Sequence, residues 1–254
     1  MKISALIIAR NEEKKIKRCL ESIFFVDEIV VVLDRSFDRT KKITKAFTDK
    51  IFQGSWEFEG DRRNFGIRKC SYNWILEIDA DEIVNSKLRD EIKSKVKNSK
   101  YDFYYINILN FVENTAIRNG WMSCLAPDGK FCLFKKKCKT WENQRVHPNY
   151  KIEGIKGPQF QNSLDHYMSN DVSELVTRFN RNTDLRAQDL FDQKEILSKY
   201  FSIRKVISRF LKCFIKRKGY KEGLLGLLIS ILSSLYLFVS AVKAEHLEKE
   251  TMQK

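Results

Sequence analysis

The stretch Asn73-Trp-Ile-Leu-Glu-Ile-Asp-Ala-Asp-Glu82 decides the fold, because a short apolar run ends there in a group of acids. The apolar part is too short for a helix and indicates a buried strand. Carboxylates cannot lie unpaired in a core, so Asp79, Asp81 and Glu82 must lie where the strand leaves its sheet. Ligands bind at this carboxyl edge in open α/β sheets. The stretch therefore predicts a ligand site at the end of a buried strand.

The triplet Asp79-Ala80-Asp81 has the chemistry of a metal site. Two hard oxygen ligands, with room for water and phosphate, suit Mg²⁺ or Mn²⁺. The same triplet also fits a solvated acidic turn that caps the next helix, since acids favour helix N-termini. The rest of the chain has to decide between these two interpretations.

Apolar runs and amphipathic segments alternate through the first hundred residues. The predicted strands before the opening stretch are Ile3–Ala9, Ile29–Leu33 and Lys50–Phe52. Asn11 is expected to cap the helix that follows the first strand. Strands that alternate with helices form a parallel, doubly wound, Rossmann-like α/β sheet. No glycine-rich dinucleotide motif or P-loop follows any of these strands.

Charged residues follow three of the predicted strands. Arg10 and Glu12 follow the first, Asp34 follows the second, and the acids of the opening stretch follow the fourth. Because the carboxyl ends of parallel strands meet at one edge of the sheet, these side chains are expected to lie close together. Three charged strand ends favour a ligand site over a single solvated turn.

The second half adds strands at Phe103–Val112 and Lys130–Lys137, and helices at Ser86–Val96 and Asp171–Lys194.

Net charge is +14 over 254 residues, which calls for an anionic partner. The N-terminal apolar run is short and is followed by charges, so no signal peptide is expected. The scattered cysteines are expected to be reduced thiols of a cytosolic protein.

The C-terminal part differs in kind from the rest of the chain. Residues 201–221 contain no acid, and their basic residues are interleaved with apolar ones, as in a helix that lies on a membrane surface. Gly223–Val242 carries no charge and reaches the roughly 20 residues of a membrane span. Its many serines leave three possibilities open: a span, a helix embedded from the cytoplasmic side, or a helix docked on the domain. If the segment spans the membrane, the basic flank before it is expected to stay cytoplasmic.

These motifs resemble the family 2 glycosyltransferases, which have a GT-A fold. The resemblance covers residues 2–84 and rests on four motifs in order: Ser4–Asn11 with Glu12 and Glu13, Ile29–Asp34 with Ser36 and Asp38, Arg63–Gly66, and Trp74–Glu82. The second half is similar to the WaaE/KdtX-type enzymes that build lipopolysaccharide cores. That likeness rests on Trp121, the Phe131–Phe134 strand, Arg145-Val-His147 and Leu164-Asp-His166.

The resemblance implies a domain plan. Residues 1–198 would form the GT-A domain, with a nucleotide-sugar-binding half at 1–100 and an acceptor-binding half at 101–198. Residues 199–254 would form a helical, membrane-associated extension.

The resemblance also implies roles for residues at the sheet edge. The donor would be bound by Ala9, Arg10, Glu12, Asp34, Arg63 and Asp79. An aspartate can accept a hydrogen bond from the imide N–H of uracil, so a UDP-sugar is expected. Asp81 would bind the Mg²⁺ or Mn²⁺ cofactor and Asp79 would be shared between ribose and metal, while Glu82 would orient the loop.

An inverting transfer needs a base for the acceptor hydroxyl. Many relatives carry a glutamate directly after the Val-His pair, where this chain has Pro148. The remaining candidates are Glu142, His147, Asp165 and His166, with Glu142 as first choice. Trp121 and Trp141 are the candidates for contact with an acceptor sugar.

The sequence therefore predicts a metal-dependent glycosyltransferase. It would transfer a sugar from a nucleotide-sugar donor to a glycan or lipid-linked acceptor of cell-surface polysaccharide or lipopolysaccharide, at the cytoplasmic membrane face. A nucleotidyltransferase is the first alternative, although Ala9–Glu12 lacks the glycines of its phosphate loop. A non-catalytic, membrane-tethered basic module is the second. Nucleic acid is not expected as a partner, because the aromatic and basic residues are not interleaved as in RNA-binding sheets.

Overall fold

The structure, a computed structural model, describes residues 1–120 and 129–252. Within these ranges the chain forms two compact units. The first unit comprises residues 1–109 and 129–167, and the second comprises residues 110–120 and 168–252.

The described strands follow the apolar runs of the sequence. They are β1 (Ile3–Ala9), β2 (Glu28–Asp34), β3 (Ile51–Gly54), β4 (Trp74–Asp79), β5 (Glu82–Ile83), β6 (Phe103–Val112), β7 (Thr115–Ile117), β8 (Lys130–Lys135), β9 (Lys139–Trp141), β10 (Tyr150–Ile152) and β11 (Ser163–Ser169). The α-helices are α1 (Ile16–Ser22), α2 (Thr40–Thr44), α3 (Glu59–Lys69), α4 (Ser86–Val96), α5 (Val172–Asp192), α6 (Ile203–Leu211) and α7 (Gly223–Met252).

The main sheet has the order β3-β2-β1-β4-β8-β6-β11-β5. The four strands β3, β2, β1 and β4 are parallel to one another. Strand β8 then pairs antiparallel with β4, and β6 pairs antiparallel with β8. This arrangement confirms the predicted α/β fold with a mostly parallel, doubly wound sheet. Strands β8 and β6 belong to the second half of the sequence.

Both faces of the parallel strands are buried, which is why these strands are apolar without interruption. On one face Ile7 of β1 clusters with Leu20 of α1 and Ile92 of α4. On the other face Leu6 of β1 clusters with Ile67 of α3. Side chains of a strand alternate between faces, so neighbouring residues of β1 serve opposite cores. The carboxyl ends of β1, β2 and β4 consequently leave the sheet between two helical layers.

Asn11 does not cap a helix, contrary to the sequence prediction. Its φ angle is +55°, and α1 begins only at Ile16. The Asn11 side-chain oxygen instead accepts a hydrogen bond from the Phe37 amide, 2.9 Å away. Asparagine tolerates the left-handed conformation better than most residues. Asn11 therefore ties the loop after β1 to the loop after β2.

The second unit is built around the pair α5 and α7. Leu175 of α5 lies in one apolar cluster with Ile229 of α7, and Leu190 lies in another with Ala241. The predicted basic helix is divided into α6, a π-helical turn at Lys212–Lys216 and a 3₁₀ turn at Gly219–Glu222. Helix α7 is long and apolar enough to cross a membrane, by length and composition alone.

Candidate functional site

The loops that follow β1 and β2 are joined by hydrogen bonds at the carboxyl edge of the sheet. The Glu12 amide donates to Thr40 Oγ1 at 2.8 Å, and the Asn11 amide donates to Ser36 Oγ at 3.1 Å. Ala9 ends β1 and is buried, while Arg10 is exposed. The predicted donor-binding residues of the first motif thus occupy a fixed turn at the sheet edge.

Asp34, the last residue of β2, is completely buried. Its Oδ1 accepts from Arg35 Nε at 3.0 Å and from the Trp56 amide at 3.2 Å. Its Oδ2 accepts from Arg62 Nη1 at 2.7 Å. Burial alone would raise the pKa of Asp34, but these hydrogen bonds and the Arg62 charge lower it. In this arrangement the carboxylate orients Arg35 and Arg62, two cations at the rim of the site.

Arg63 of α3 is buried and its guanidinium is shared among three carboxylates. Nη1 lies 2.8 Å from Glu77 Oε1. Nη2 lies 2.6 Å from Glu59 Oε1 and 2.9 Å from Asp79 Oδ1. A planar fork of donors suits such multiple pairing better than an ammonium would. Arg63 therefore fixes the position of Asp79 from the side of α3.

Lys130, the first residue of β8, fixes the acidic turn from the other side. Its Nζ lies 2.9 Å from Asp79 Oδ2 and 2.6 Å from Glu82 Oε2. Burial would raise the pKa of Asp79, but the Arg63 and Lys130 charges outweigh it and hold this pKa well below its usual range. Burial and the nearby Asp79 charge raise the pKa of Glu82. Glu82 also accepts from the Asp79 amide at 2.7 Å, as expected for a residue that orients the loop.

These contacts form one continuous series of ion pairs, which we call the ion-pair chain. Its members, in order, are Asp34, Arg62, Glu59, Arg63, Asp79, Lys130 and Glu82. It joins the end of β2, the first turn of α3, the end of β4 and the start of β8. Such a partly buried row of alternating charges holds its side chains in fixed positions.

Asp81 faces His166 of β11. His166 Nε2 lies 3.5 Å from Asp81 Oδ1, and the Tyr167 amide donates to the Asp81 carbonyl at 2.9 Å. Within residues 1–120 and 129–252, no group of three or more His, Cys, Asp or Glu side chains could hold a metal by itself. Neighbouring ligands of an octahedral Mg²⁺ or Mn²⁺ are about 3 Å apart. Asp81 and His166 therefore fit two positions on a cation whose other ligands are water and phosphate.

Asp79 is ion-paired through both of its carboxylate oxygens. Each oxygen contacts a cationic side chain, Arg63 on one side and Lys130 on the other. A metal that bound Asp79 would have to compete with these two cations.

Trp141, at the end of β9, packs against the charged groups of α3 and β4. Its indole lies over the Arg63 guanidinium and over Lys139 Nζ, at 5.0 and 3.8 Å from the ring centroid. Lys139 Nζ also lies 2.9 Å from Glu77 Oε2. Burial lowers the pKa of Lys139 to about 8. Trp121 lies outside the described residues.

The four candidate bases fall into two places. Asp165 and His166 lie on β11, where adjacent side chains point to opposite faces. Asp165 Oδ2 lies 3.4 Å from Asn85 Nδ2, and burial raises the pKa of Asp165. Glu142 and His147 lie in the loop after β9, where Glu142 is half-buried and His147 is exposed, with a φ angle of +50°.

Sequence reasoning assigned no site role to five members of the charged network: Glu59, Arg62, Glu77, Lys130 and Lys139. Glu77 gave a usable signal, because a carboxylate in the middle of a buried strand requires a partner. Lys130 gave none, since a lysine at the first residue of a strand is ordinary. Its role depends on β8 lying next to β4, which the sequence does not specify.

Comparison with solved structures finds similarities at low sequence identity. The Staphylococcus aureus TarS 1–349 crystal structure aligns with 100% of this chain and 92% of its own, at 14% identity and a TM-score of 0.48. Glucosyl-3-phosphoglycerate synthase from Mycobacterium tuberculosis, solved with Mn²⁺, UDP-glucose and phosphoglyceric acid, aligns with 42% of this chain and 44% of its own. That match has 20% identity and a TM-score of 0.37. Similarities this weak carry no argument about the geometry of the present site.

Sequence relatives cover nearly the whole chain. An uncharacterised glycosyltransferase of Rickettsia typhi is 28% identical over 255 residues, 97% of this chain and 87% of the relative. Lipopolysaccharide core biosynthesis glycosyltransferase LpsC of Rhizobium meliloti is 24% identical over 254 residues, 95% of this chain and 91% of the relative. The sequence model described as "Glycosyl transferase family 2" matches residues 4–146, which contain the whole ion-pair chain. The chain therefore belongs to family 2 of the glycosyltransferases.

Proposed function

We propose that this glycosyltransferase is metal-dependent and transfers a sugar, with inversion, from a UDP-sugar to a glycan or lipid-linked acceptor of the cell surface. The observation that carries the proposal is the ion-pair chain. It gathers the ends of β2 and β4 and the start of α3 into one charged edge beside Asp81. The likeness to LpsC over most of the chain supports lipopolysaccharide or a related glycan as the product.

We assign donor binding to the edge between β1 and α3. The nucleotide would be bordered by Ala9, Arg10 and Glu12. The positive charge of Arg62 would lie near the diphosphate. Asp34 would contact the base only if Arg35 releases one of its oxygens, because both oxygens accept hydrogen bonds from this chain. Asp79 would contact the ribose, and Arg63 would hold the Asp79 carboxylate in place for that contact.

We assign the divalent cation to Asp81 with His166. The 3.5 Å separation of their ligating atoms supports this assignment. A bound Mg²⁺ or Mn²⁺ would neutralise charge on the departing UDP. The chain's own part is to keep both side chains in place: the Tyr167 amide holds the Asp81 carbonyl, and β11 pairs with β5 at His166 and Glu82.

We assign the general base to Glu142. His166 faces Asp81, so by strand alternation the Asp165 side chain points away from it and toward Asn85, the cap of α4. The loop that carries Glu142 lies against the start of α3, since the Glu59 amide donates to the Gln144 carbonyl at 3.0 Å. His147 remains the second candidate. Trp141 would border the acceptor sugar.

A donor panel tests the proposal. The full chain is incubated with UDP-, GDP- and CMP-sugars, with and without Mn²⁺, and nucleotide release and thermal protection are measured. We expect a response to one UDP-sugar that requires Mn²⁺. Asp81→Ala should reduce it at least about 100-fold, whereas Asp90→Ala, on the exposed side of α4, should retain it.

Two outcomes would contradict the proposal. One is the absence of any metal-dependent response to a nucleotide sugar. The other is an Asp81→Ala enzyme that behaves as the wild type does.

A separate pair of variants tests the general base. Glu142→Gln should abolish transfer while leaving protection by the donor intact, and His147→Gln should leave transfer in place. Inversion is checked by the anomeric coupling constant of the product.

A further inference from the structure

An exposed apolar stripe runs along the basic segment of the second unit. It consists of four residues at every fourth position: Ile203 (68% exposed), Ile207 (53%), Leu211 (45%) and Ile215 (58%). Residues four apart lie on the same side of a helix. The π-helical turn that begins at Lys212 takes more residues per turn, which offsets the slow rotation of a four-residue spacing. We call these four residues the α6 stripe.

Cations accompany the α6 stripe and acids are absent. Between Ile203 and Lys221 the chain has eight basic residues and no Asp or Glu. They are Arg204, Lys205, Arg209, Lys212, Lys216, Arg217, Lys218 and Lys221. A partner for this face must therefore be anionic and must also accept apolar side chains. A bilayer that contains anionic lipids has both properties.

The opposite side of the segment packs on α7. Cys213 is fully buried, and Ser230 Oγ donates to its Sγ at 3.2 Å. A cavity of about 220 Å³ lies beside α6, and cationic and apolar side chains line it together. Its lining includes Lys199, Lys205, Arg209, Val206, Leu237 and Phe238.

The packing of α5 on α7 argues against a span by α7. Leu175 near the start of α5 clusters with Ile229, and Leu190 near its end clusters with Ala241. Two residues after Ala241, Lys243 Nζ lies 2.5 Å from the Asp184 carboxylate. Helix α5 therefore accompanies α7 over the length that would have to lie in hydrocarbon.

Helix α5 cannot enter hydrocarbon, because it carries charges along this whole length. They are Arg178, Arg181, Asp184, Arg186 and Asp189. Each charge in the bilayer interior is strongly unfavourable. A span by α7 would require α5 to detach and expose its own apolar side.

We propose that the second unit docks on the surface of an anionic bilayer through the α6 stripe and its flanking cations, and that α7 does not cross the membrane. The stripe enters the interface between headgroups and acyl chains, and the cations bind lipid phosphates. This inference rests on the proposed function in one respect: docking would give the enzyme access to a lipid-linked acceptor. Docking itself needs no donor, metal or transfer.

Vesicle sedimentation of the full chain, without nucleotide, tests the docking. We expect binding to vesicles that contain phosphatidylglycerol, at least about tenfold weaker binding to pure phosphatidylcholine, and loss of binding as salt rises. Lys212→Gln/Lys216→Gln should weaken binding at least about tenfold. Lys87→Gln/Lys97→Gln removes the same charge from two exposed positions, one in α4 and one directly after it, and should change binding less than about twofold.

A second pair of variants tests the contribution of the apolar side chains to vesicle binding. Ile207→Asp removes one side chain of the stripe, and Ile155→Asp changes an isoleucine of the first unit that is 61% exposed. Only the first should weaken binding, by about tenfold or more. Docking is overturned if the wild type binds neither vesicle or both equally, or if the control variants lose as much as the α6 variants. Nucleotide-sugar turnover measured in parallel without vesicles separates a failure of docking from a failure of the proposed transfer.

Topology is tested with Lys221→Cys and Glu250→Cys, which lie on either side of the apolar segment. Spheroplasts that express each full-length variant are treated with a membrane-impermeant maleimide. Both cysteines should react only after permeabilisation. Reaction of either one in intact spheroplasts would overturn the surface arrangement.

Discussion

Lys130 holds the acidic turn, because its ammonium group contacts both Asp79 and Glu82. Removing one partner of a buried ion pair leaves uncompensated charge. We expect Lys130→Met to cost about 3 kcal/mol in the free energy of unfolding. Transfer should fall about 10- to 100-fold because Asp79 and its neighbours lose their positions. Urea unfolding and UDP release measure the two effects.

A control substitution on the same strand separates the loss of side-chain positions at the site from a general loss of protein stability. Lys135→Met breaks the pair with Asp102, 2.8 Å away at the other end of β8, and touches no member of the ion-pair chain. It should leave transfer within about twofold. Mn²⁺ should raise the melting temperature of Lys130→Met more than that of the wild type, because the cation replaces the lost charge. Equal effects of both variants on transfer would contradict this role for Lys130.

Glu28, the first residue of β2, provides a pH-dependent contribution to stability. Burial would raise its pKa, but hydrogen bonds from Lys50, Ser4 and the Ser71 amide lower it from 4.5 to about 2. A carboxyl whose pKa is lower in the folded state stabilises the fold above pH 4.5. That contribution is lost as pH falls from about 4.5 to about 2.

Glu28→Gln should therefore cost about 3 kcal/mol at pH 7. The difference from the wild type should shrink steadily below pH 4.5 and disappear near pH 2, which urea unfolding at a series of pH values would show. A difference that stays constant from pH 7 to pH 3 would mean that Glu28 titrates normally in the folded chain.

At the scale of elements, the apolar runs predicted the strands closely, since β1, β6 and α4 have the bounds expected from sequence. Runs buried on both faces leave little choice of structure. The short elements were less predictable. Helix α1 starts at Ile16 because Asn11 is held by the loop after β2, a contact between segments that local preference does not encode.

For the site as well, the sequence predicted which residues end the strands but did not predict the contacts between distant segments. Charged strand ends predicted which residues lie at the sheet edge. They could not show that Arg63 is divided among Glu59, Glu77 and Asp79, or that Asp34 is enclosed by Arg35 and Arg62. Those contacts depend on how α3 is placed over the strands, and β8 adds Lys130 from 51 residues further along the chain.

The first turn of α3 is placed by Gly60. A Cβ atom there would lie 2.0 Å from the Glu142 carbonyl oxygen, a backbone atom that cannot simply rotate away. Gly→Ala in a helix normally stabilises by about 0.5–1 kcal/mol. Here we expect Gly60→Ala to destabilise by about 1–3 kcal/mol and to weaken donor binding, because Arg62 and Arg63 shift with the turn.

Asp61→Ala, one residue further along α3, is the matched control. It should change the free energy of unfolding by less than about 0.5 kcal/mol and leave donor binding intact. Calorimetric titration with the donor measures both proteins. Stabilisation by Gly60→Ala would show that the contact with Glu142 is not tight in solution.

At the scale of the whole molecule, charge and apolar surface are unevenly distributed. Residues 199–254 contain twelve Lys and Arg against four Glu, so this fifth of the chain carries more than half of the net charge of +14. The first unit pairs several of its charges in the ion-pair chain, whereas α6 carries cations beside exposed isoleucines. Transfer chemistry and surface attachment therefore draw on different parts of the sequence and can be altered separately.

Deletion of α7 is consequently a poor way to obtain a soluble enzyme. Helix α7 covers Leu175, Ala187 and Leu190 of α5, and each fully buried leucine contributes about 1.5–3 kcal/mol. A chain that ends at Glu222 should lose hydrogen-exchange protection throughout α5 and aggregate, even in detergent-free buffer without membranes. Ile231→Ser, on the exposed side of α7, should keep that protection. Full protection of α5 in the shortened chain would mean that α5 is stable without α7, and the packing argument against a span would then fail as well.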